Sequence, residues 1–168
     1  MKINEIKQYL EELNDELEKK QTKGEICIVG GAAMCLAFNA REATKDIDAI
    51  FAPKLVIYEA AKEIAEKHGL SENWLNDGVK GFITPMIKFG ELLTFSHLNV
   101  MVVKPEYLLA MKCLASRTDV DIDDIKFLIR LLGMKKKEEV YSILENIYPG
   151  KSIEPKVMYV IEGIFDEL

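Results

Sequence analysis

The sequence predicts an α+β fold in which a strand-bearing first part is followed by a helical tail. Apolar runs of strand length and period-two alternation fall before residue 104, whereas helical periodicity dominates after it. Gly and Pro separate the segments, and the chain contains no internal repeat, linker or low-complexity tract. Its 168 residues set the expectation at a single domain, 1–168, made of a sheet-containing core (1–104) and a helical extension (105–168). With 49% apolar and 30% charged residues the chain is able to bury a core, which excludes disordered and fibrous architectures.

Each element has its own signal. Ile3, Ile6, Tyr9, Leu10, Leu13 and Leu17 recur every three or four residues and lay one apolar stripe along a helix of about five turns. Gly24 breaks that pattern, and Ile26–Val29 is a short continuous apolar run of the kind that forms a buried strand. The run stops at Gly30-Gly31 and is followed by helix formers from Ala32 to Phe38. From Arg41 to Phe51 the alternation of apolar and acidic residues predicts a strand with Asp46 and Asp48 on one face. Pro53 ends it and opens a helix over 55–67. The segment 70–81 reads as turns, 82–89 and 92–95 as a hairpin around Gly90-Glu91, and 98–103 as a further strand. Pro105 opens a helix carrying Lys112, and helices follow over 121–132, 136–147 and 153–165, punctuated by Gly133 and Pro149-Gly150.

The formal net charge of −6 supplies no global basic field, so any polyanionic partner must be gripped locally. No apolar run approaches the roughly 18 residues that span a bilayer, and the charged amphipathic N-terminus lacks a signal-peptide core. The expectation is a soluble cytoplasmic protein with no membrane partner. Cys27, Cys35 and Cys113 sit in apolar contexts without a CxxC pair and read as reduced core thiols; with only His68 and His97 beside them, they argue against a zinc site.

Two features within twenty residues carry chemistry. A diglycine lets the backbone approach an anion closely, and a helix starting there favours phosphate through its free N–H groups. On a strand, residues i and i+2 point the same way about 6.6 Å apart, so Asp46 and Asp48 can converge on divalent cations. Mg²⁺ takes one or two carboxylates together with phosphate oxygens. A triphosphate seat at Gly30 and Gly31 beside a metal-binding pair is the minimum for nucleotidyl transfer. Taken singly, a diglycine is an ordinary tight turn and an Asp-x-Asp an ordinary solvated face; order and spacing join them.

These residues resemble a known superfamily. ICIVGGAAMCLAF followed by REATKDIDAIF is similar to the motif of the nucleotidyltransferases related to DNA polymerase β, and in particular to the small prokaryotic branches around the AbiEii-type toxins and their DUF6036-like relatives. PEYLLAMKCLASRTDVDIDDIKFL resembles their later helical segment. The resemblance implies a nucleotidyltransferase-like mixed sheet flanked by helices and an NTP substrate. It also implies Mg²⁺ on Asp46 and Asp48, and phosphates held by Gly30 and Gly31. Arg41 and Thr44 fall on its R-x-x-T part and would touch phosphate or order the loop. Lys112 matches the lysine facing the nucleotide, and Asp121 and Asp124 match later acidic positions, with Arg117 before them. An RNA acceptor such as tRNA, a toxin-like role and a cognate antitoxin are conceivable on the same ground.

One departure stands out. Many members place a third carboxylate on a later strand, as metal ligand and base for the attacking hydroxyl. The same-face residues His97, Asn99 and Met101 include none, so the base is missing, or is His97, Glu91, Asp77 or the substrate. The alternative reading is therefore a nucleotide-binding or protein-interaction module of the same fold, impaired in catalysis. Plainer readings stand beside individual residues: Lys112 as a snorkelling lysine on an apolar helix, Asp121 and Asp124 as acids favouring a helix start, Trp74 as a core anchor rather than a base-stacking platform, and Lys135–Lys137 as a solvated helix start.

Overall fold

The N-terminal stripe forms α1 (Ile3–Lys19), and its repeat buries Ile6, Leu10, Leu13 and Leu17 completely. At its start the Glu5 carboxylate accepts the Lys2 N–H at 3.0 Å, a negative charge in the first turn where the helix dipole favours it. These facts come from a computed structural model, which describes residues 1–116 and 119–167; the sequence-predicted Arg117 lies outside the described residues. The chain packs as two units, Met1–Ile83 with Phe89–Val103 and Thr84–Lys88 with Lys104–Leu168, so the division falls where strands give way to helices.

The first unit carries β1 (Gly24–Ile28), α2 (Gly30–Leu36), β2 (Ile47–Ala52), α3 (Lys54–His68), β3 (Leu75–Asn76), a 3₁₀ turn (Gly78–Phe82), β4 (Phe89–Thr94) and β5 (Leu98–Val103). The five strands form one mixed sheet in the order β3-β2-β1-β5-β4. β1 runs antiparallel to β2 and parallel to β5, β2 parallel to β3, and β4 antiparallel to β5. Alternation then sorts the two faces. Ile26, Ile28, Ile47, Ala49, Leu98 and Val100 are buried, while Cys27, Asp48, Ile50, Asn99 and Met101 on the other face stay partly exposed. Helix α1 packs against β5, α3 against β2, and the two helices against each other, so the core of this unit lies on the apolar side of the sheet. α3 stops at Gly69, whose φ of 66° is the left-handed conformation that ends helices without strain in glycine.

Three elements differ from the sequence reading. The strand read over 41–51 begins only at Ile47, so Arg41, Thr44 and Asp46 belong to the loop before it and Asp48 alone of the two acids lies on the strand. The hairpin joins β4 to β5 through Phe95–His97, and Gly90-Glu91 lies inside β4, where the register shifts between Glu91 and Leu93. A glycine within a strand pattern marks a bulge as readily as a turn. The true turn has no Gly or Asn; it is held instead from α1, where buried Asn14 accepts the His97 N–H at 2.7 Å. The third difference is β3, which falls in the segment read as turns. Buried Leu75 pairs with Ile47 there, and Trp74 is a core anchor, 2% exposed, with its indole N–H donating to the Ala61 carbonyl at 2.8 Å.

The second unit is built from α4 (Pro105–Ala115), α5 (Asp119–Leu131), α6 (Lys137–Ile147) and α7 (Pro155–Glu167). α4 packs on α5 and α6, and α6 on α7, around Leu108, Leu109, Ile125, Leu128, Leu144 and Ile161. Pro105 occupies the first turn of α4, where its missing N–H costs nothing. Among the described residues no helix is long and apolar enough to cross a membrane.

Candidate functional site

The end of β1 and the start of β2 are tied by the Val29 N–H, which donates to the Asp48 carbonyl at 2.9 Å. The chain then turns at Gly30 with φ of +63°, a conformation that strains any residue bearing a Cβ. A Cβ there would stand 2.9 Å from Oδ2 of Asp48; one on Gly31 would stand 2.7 Å from Oγ1 of Thr44 and 2.8 Å from Nη1 of Arg41. At Gly30 the backbone conformation itself calls for glycine, and the absence of two side chains lets Asp48, Thr44 and Arg41 close on the diglycine backbone. Five residues singled out from sequence, Gly30, Gly31, Arg41, Thr44 and Asp48, meet at one place.

The loop carrying Arg41, Thr44 and Asp46 is held from several sides. The Thr44 hydroxyl donates to the Asp46 carbonyl at 3.2 Å, the Thr44 N–H donates to the Met1 carbonyl at 3.0 Å, and the Met1 ammonium donates to the Thr44 carbonyl at 2.7 Å. Asp46, the last residue of the loop, and Asp48, in β2, flank Ile47, which is wholly buried, and both remain partly exposed; alternation within β2 turns Asp48 to the side opposite the core. Among the described residues no group of three or more His, Cys, Asp or Glu is arranged to hold a metal ion. One carboxylate, Asp48, lies beside the glycine backbone and a second, Asp46, two residues before it; Mg²⁺ needs as few as one or two carboxylates and draws further oxygens from phosphate and water.

The register answers the question of the third carboxylate. Asn99 pairs with Glu25, four residues from the Val29 that bonds Asp48, which is about 13 Å along the strand. Asn99, with Glu91 and His97, instead lines a cavity of about 670 Å³ together with Gly24 and Leu98, where β1 and β5 begin. The strand adjoining β2 on its other side is β3, and Asn76 pairs with Asp48. Sequence reading missed this neighbour, although its Asn-Asp-Gly run signals a chain reversal. The Asn76 side chain serves that reversal: its amide donates to the Asn73 carbonyl and its oxygen accepts the Gly78 N–H, both at 3.1 Å. Asp77 accepts the Tyr58 hydroxyl at 2.6 Å and pairs with Lys54 at 3.1 Å. Those two bonds hold its carboxyl below the ordinary carboxylate range, which makes it a poorer proton acceptor.

In the second unit Lys112, Asp121 and Asp124 come together. The Lys112 ammonium lies 3.1 Å from Oδ1 of Asp121 and 2.8 Å from Oδ2 of Asp124, linking α4 to α5. The Asp124 side chain is 5% exposed and that of Lys112 11%. The lysine is therefore a cation shared by two acids rather than a snorkelling side chain.

Of the cysteines, Cys35 and Cys113 are buried and Cys27 only half-buried, on the open face between Ile50 and Met101. Burial, with the nearby Glu25 carboxylate, pushes the Cys27 thiol up to about 11. Alkylation of Cys27 by iodoacetamide near pH 8 is expected to run about two orders of magnitude slower than that of a free thiol with pKa about 8.5, as read by intact mass.

Against this geometry, a family model described as nucleotidyltransferase of unknown function (DUF6036) matches residues 4–148. The chain belongs to this family. In this DUF6036 chain the match spans both units and includes every residue singled out above. No curated protein and no solved structure matches the chain significantly.

Proposed function

We propose that this DUF6036 chain is a Mg²⁺-dependent nucleotidyltransferase acting on an NTP and a hydroxyl acceptor. The observation that supports the reading is the convergence of Asp48, Thr44 and Arg41 on the backbone of Gly30 and Gly31. The diglycine accepts the phosphates, because nothing projects from either Cα and backbone N–H groups can bond oxygen directly. Arg41 would supply a guanidinium fork to the same anion, while the Thr44 hydroxyl, bonded to the Asp46 carbonyl, orders the loop that carries it. Asp46 and Asp48 would hold Mg²⁺, which when bound offsets phosphate charge and fixes the reacting oxygens. In the reaction the acceptor oxygen bonds to the α-phosphorus and the bond to the bridging oxygen breaks. Pyrophosphate leaves, and the hydroxyl proton passes to a carboxylate or phosphate oxygen and then to solvent.

A second reading, a nucleotide-binding module without turnover, is favoured by Asn76 where an acid beside Asp48 would complete the metal site. One experiment separates them. The chain is incubated with each of the four NTPs and Mg²⁺ against fractionated cellular RNA, protein and small molecules, while pyrophosphate and label transfer are followed. Pyrophosphate stoichiometric with label transfer supports the transferase; nucleotide binding without pyrophosphate in any fraction supports the module and overturns the transferase.

A further inference from the structure

The turn that ends α5 builds a second cavity within the helical unit. Gly133 takes φ of +66°, its N–H donates to the Arg130 carbonyl at 3.0 Å, and the Met134 N–H donates to the Ile129 carbonyl at 3.1 Å. This pair of bonds caps the helix with a left-handed glycine and folds the chain back, so that Lys135 comes beside Arg130. The Glu139 carboxylate then accepts the Lys135 and Lys136 N–H groups at 2.7 and 3.1 Å, which fixes the backbone at Lys135. The product is a cavity of about 480 Å³ lined by Arg130, Gly133, Met134, Lys135 and Phe165, a volume in the range of small-molecule sites.

Its lining residues include two cations, with the Glu139 carboxylate held at the Lys135 backbone beside them. Some cations of this unit, Lys112, Lys126 and Lys137, lie within 4.0 Å of a carboxylate, and others, Lys136, Lys151 and Lys156 among them, form no such pair among the described residues. Neither Arg130 nor Lys135 forms such a pair among the described residues, and the cavity lining includes no acid; Asp166, next in sequence to Phe165, is exposed. Two cations in one cavity with Met134 and Phe165 suit a ligand with a doubly charged anionic head and an apolar or flat body. A phosphate monoester carries about −1.5 to −2 at neutral pH, matching two cations, whereas a carboxylate matches one. The Arg130 fork suits phosphate oxygens in pairs, and an aromatic lining residue such as Phe165 suits a planar group. We propose that this cavity binds an organic phosphate monoester bearing a flat ring, with Arg130 and Lys135 on the phosphate and Phe165 and Met134 under the ring. The site is separate in its residues from the diglycine site and does not require Mg²⁺.

The test uses the ¹⁵N-labelled full chain in EDTA, titrated with AMP while the amide signals of Gly133 and Lys135 are followed. The expected result is a saturable shift with Kd at or below about 1 mM, weakened about tenfold or more in Arg130→Ala and in Lys135→Ala, and less in Arg130→Lys. Asp48→Ala leaves the shift in place, so failure of the diglycine assignment and failure of this one are distinguishable. Inorganic phosphate should bind at least about tenfold more weakly than AMP. A hexaribonucleotide binding more tightly than AMP at the same signals, with a steeper salt dependence, identifies the natural source as a nucleic-acid end; equal or weaker binding identifies a free nucleotide. No shift by about 1 mM AMP, an unchanged Kd in folded Arg130→Ala and Lys135→Ala, or phosphate binding as tightly as AMP overturns the proposal.

Discussion

Asp46→Ala and Asp48→Ala are each expected to weaken Mg²⁺-dependent NTP binding by at least about tenfold and to lower any nucleotidyl transfer by about 10²–10³-fold, the scale on which removing one preorganised charge from a reacting centre acts. The two positions differ in what else they do. Asp48 lies against Gly30, where its Oδ2 occupies the space a Cβ would need, and it is the second residue of the strand that pairs with β3. Asp48→Asn keeps that shape while discarding the charge, so it should retain the wild-type Tm and lose the Mg²⁺-dependent part of binding. Gly30→Ala provides the converse control. It retains both carboxylates, but forces a Cβ into a left-handed position and against Asp48, at a cost of about 1–3 kcal/mol. Loss of Mg²⁺-dependent binding in Asp48→Asn with an unchanged melting curve would place the effect in the charge and not in the packing. Full affinity in both alanine variants would remove the metal from the account.

The second large effect belongs to Lys112. Its ammonium is shared by Asp121 and by Asp124, whose side chain is almost entirely buried, so Lys112→Ala withdraws a cation from between two acids. Removing one partner of a buried pair typically costs about 3–5 kcal/mol, because the remaining charge is not solvated. Lys112→Ala should therefore lower the Tm by several degrees, and combining it with Asp124→Leu should recover part of the loss, since the buried carboxylate that faced the lysine is then removed as well. Thermal unfolding of the single and double variants measures this. The resemblance assigns the same lysine to the nucleotide, and NTP affinity measured below the transition of each variant tests that role separately. An unchanged Tm with weakened NTP binding would mean that the lysine serves the ligand alone.

How far the site was legible depends on whether a feature is local. The diglycine, the acidic alternation at 46–48 and the Arg41–Thr44 stretch are contiguous in sequence, and their meeting follows from one strand, one turn and the next strand. Helices α1, α3, α4 and α6 were likewise readable, because each carries its own apolar stripe or proline start. What escaped depends on pairing between distant segments. β3 is two residues long and exists because Leu75 fits beside Ile47, which no local period announces. The β4–β5 turn lacks Gly, Asn and Pro, and beside its own Phe95-to-Leu98 backbone hydrogen bond it is held by Asn14, more than eighty positions away. The same blindness made Asn99 look like the vacant acid position: its face was legible, but its height along the sheet was set by the parallel register of β1 and β5.

The central claim is that Asp46, Asp48 and the diglycine form one Mg²⁺-dependent seat for a nucleoside triphosphate. Calorimetric titration of the wild-type chain with ATP, GTP, CTP and UTP, once with Mg²⁺ and once with EDTA, tests it most directly. The account predicts saturable one-site binding of at least one NTP with Mg²⁺, weakened about tenfold or more in EDTA. Binding of equal strength in both conditions, or none for any of the four, would contradict it.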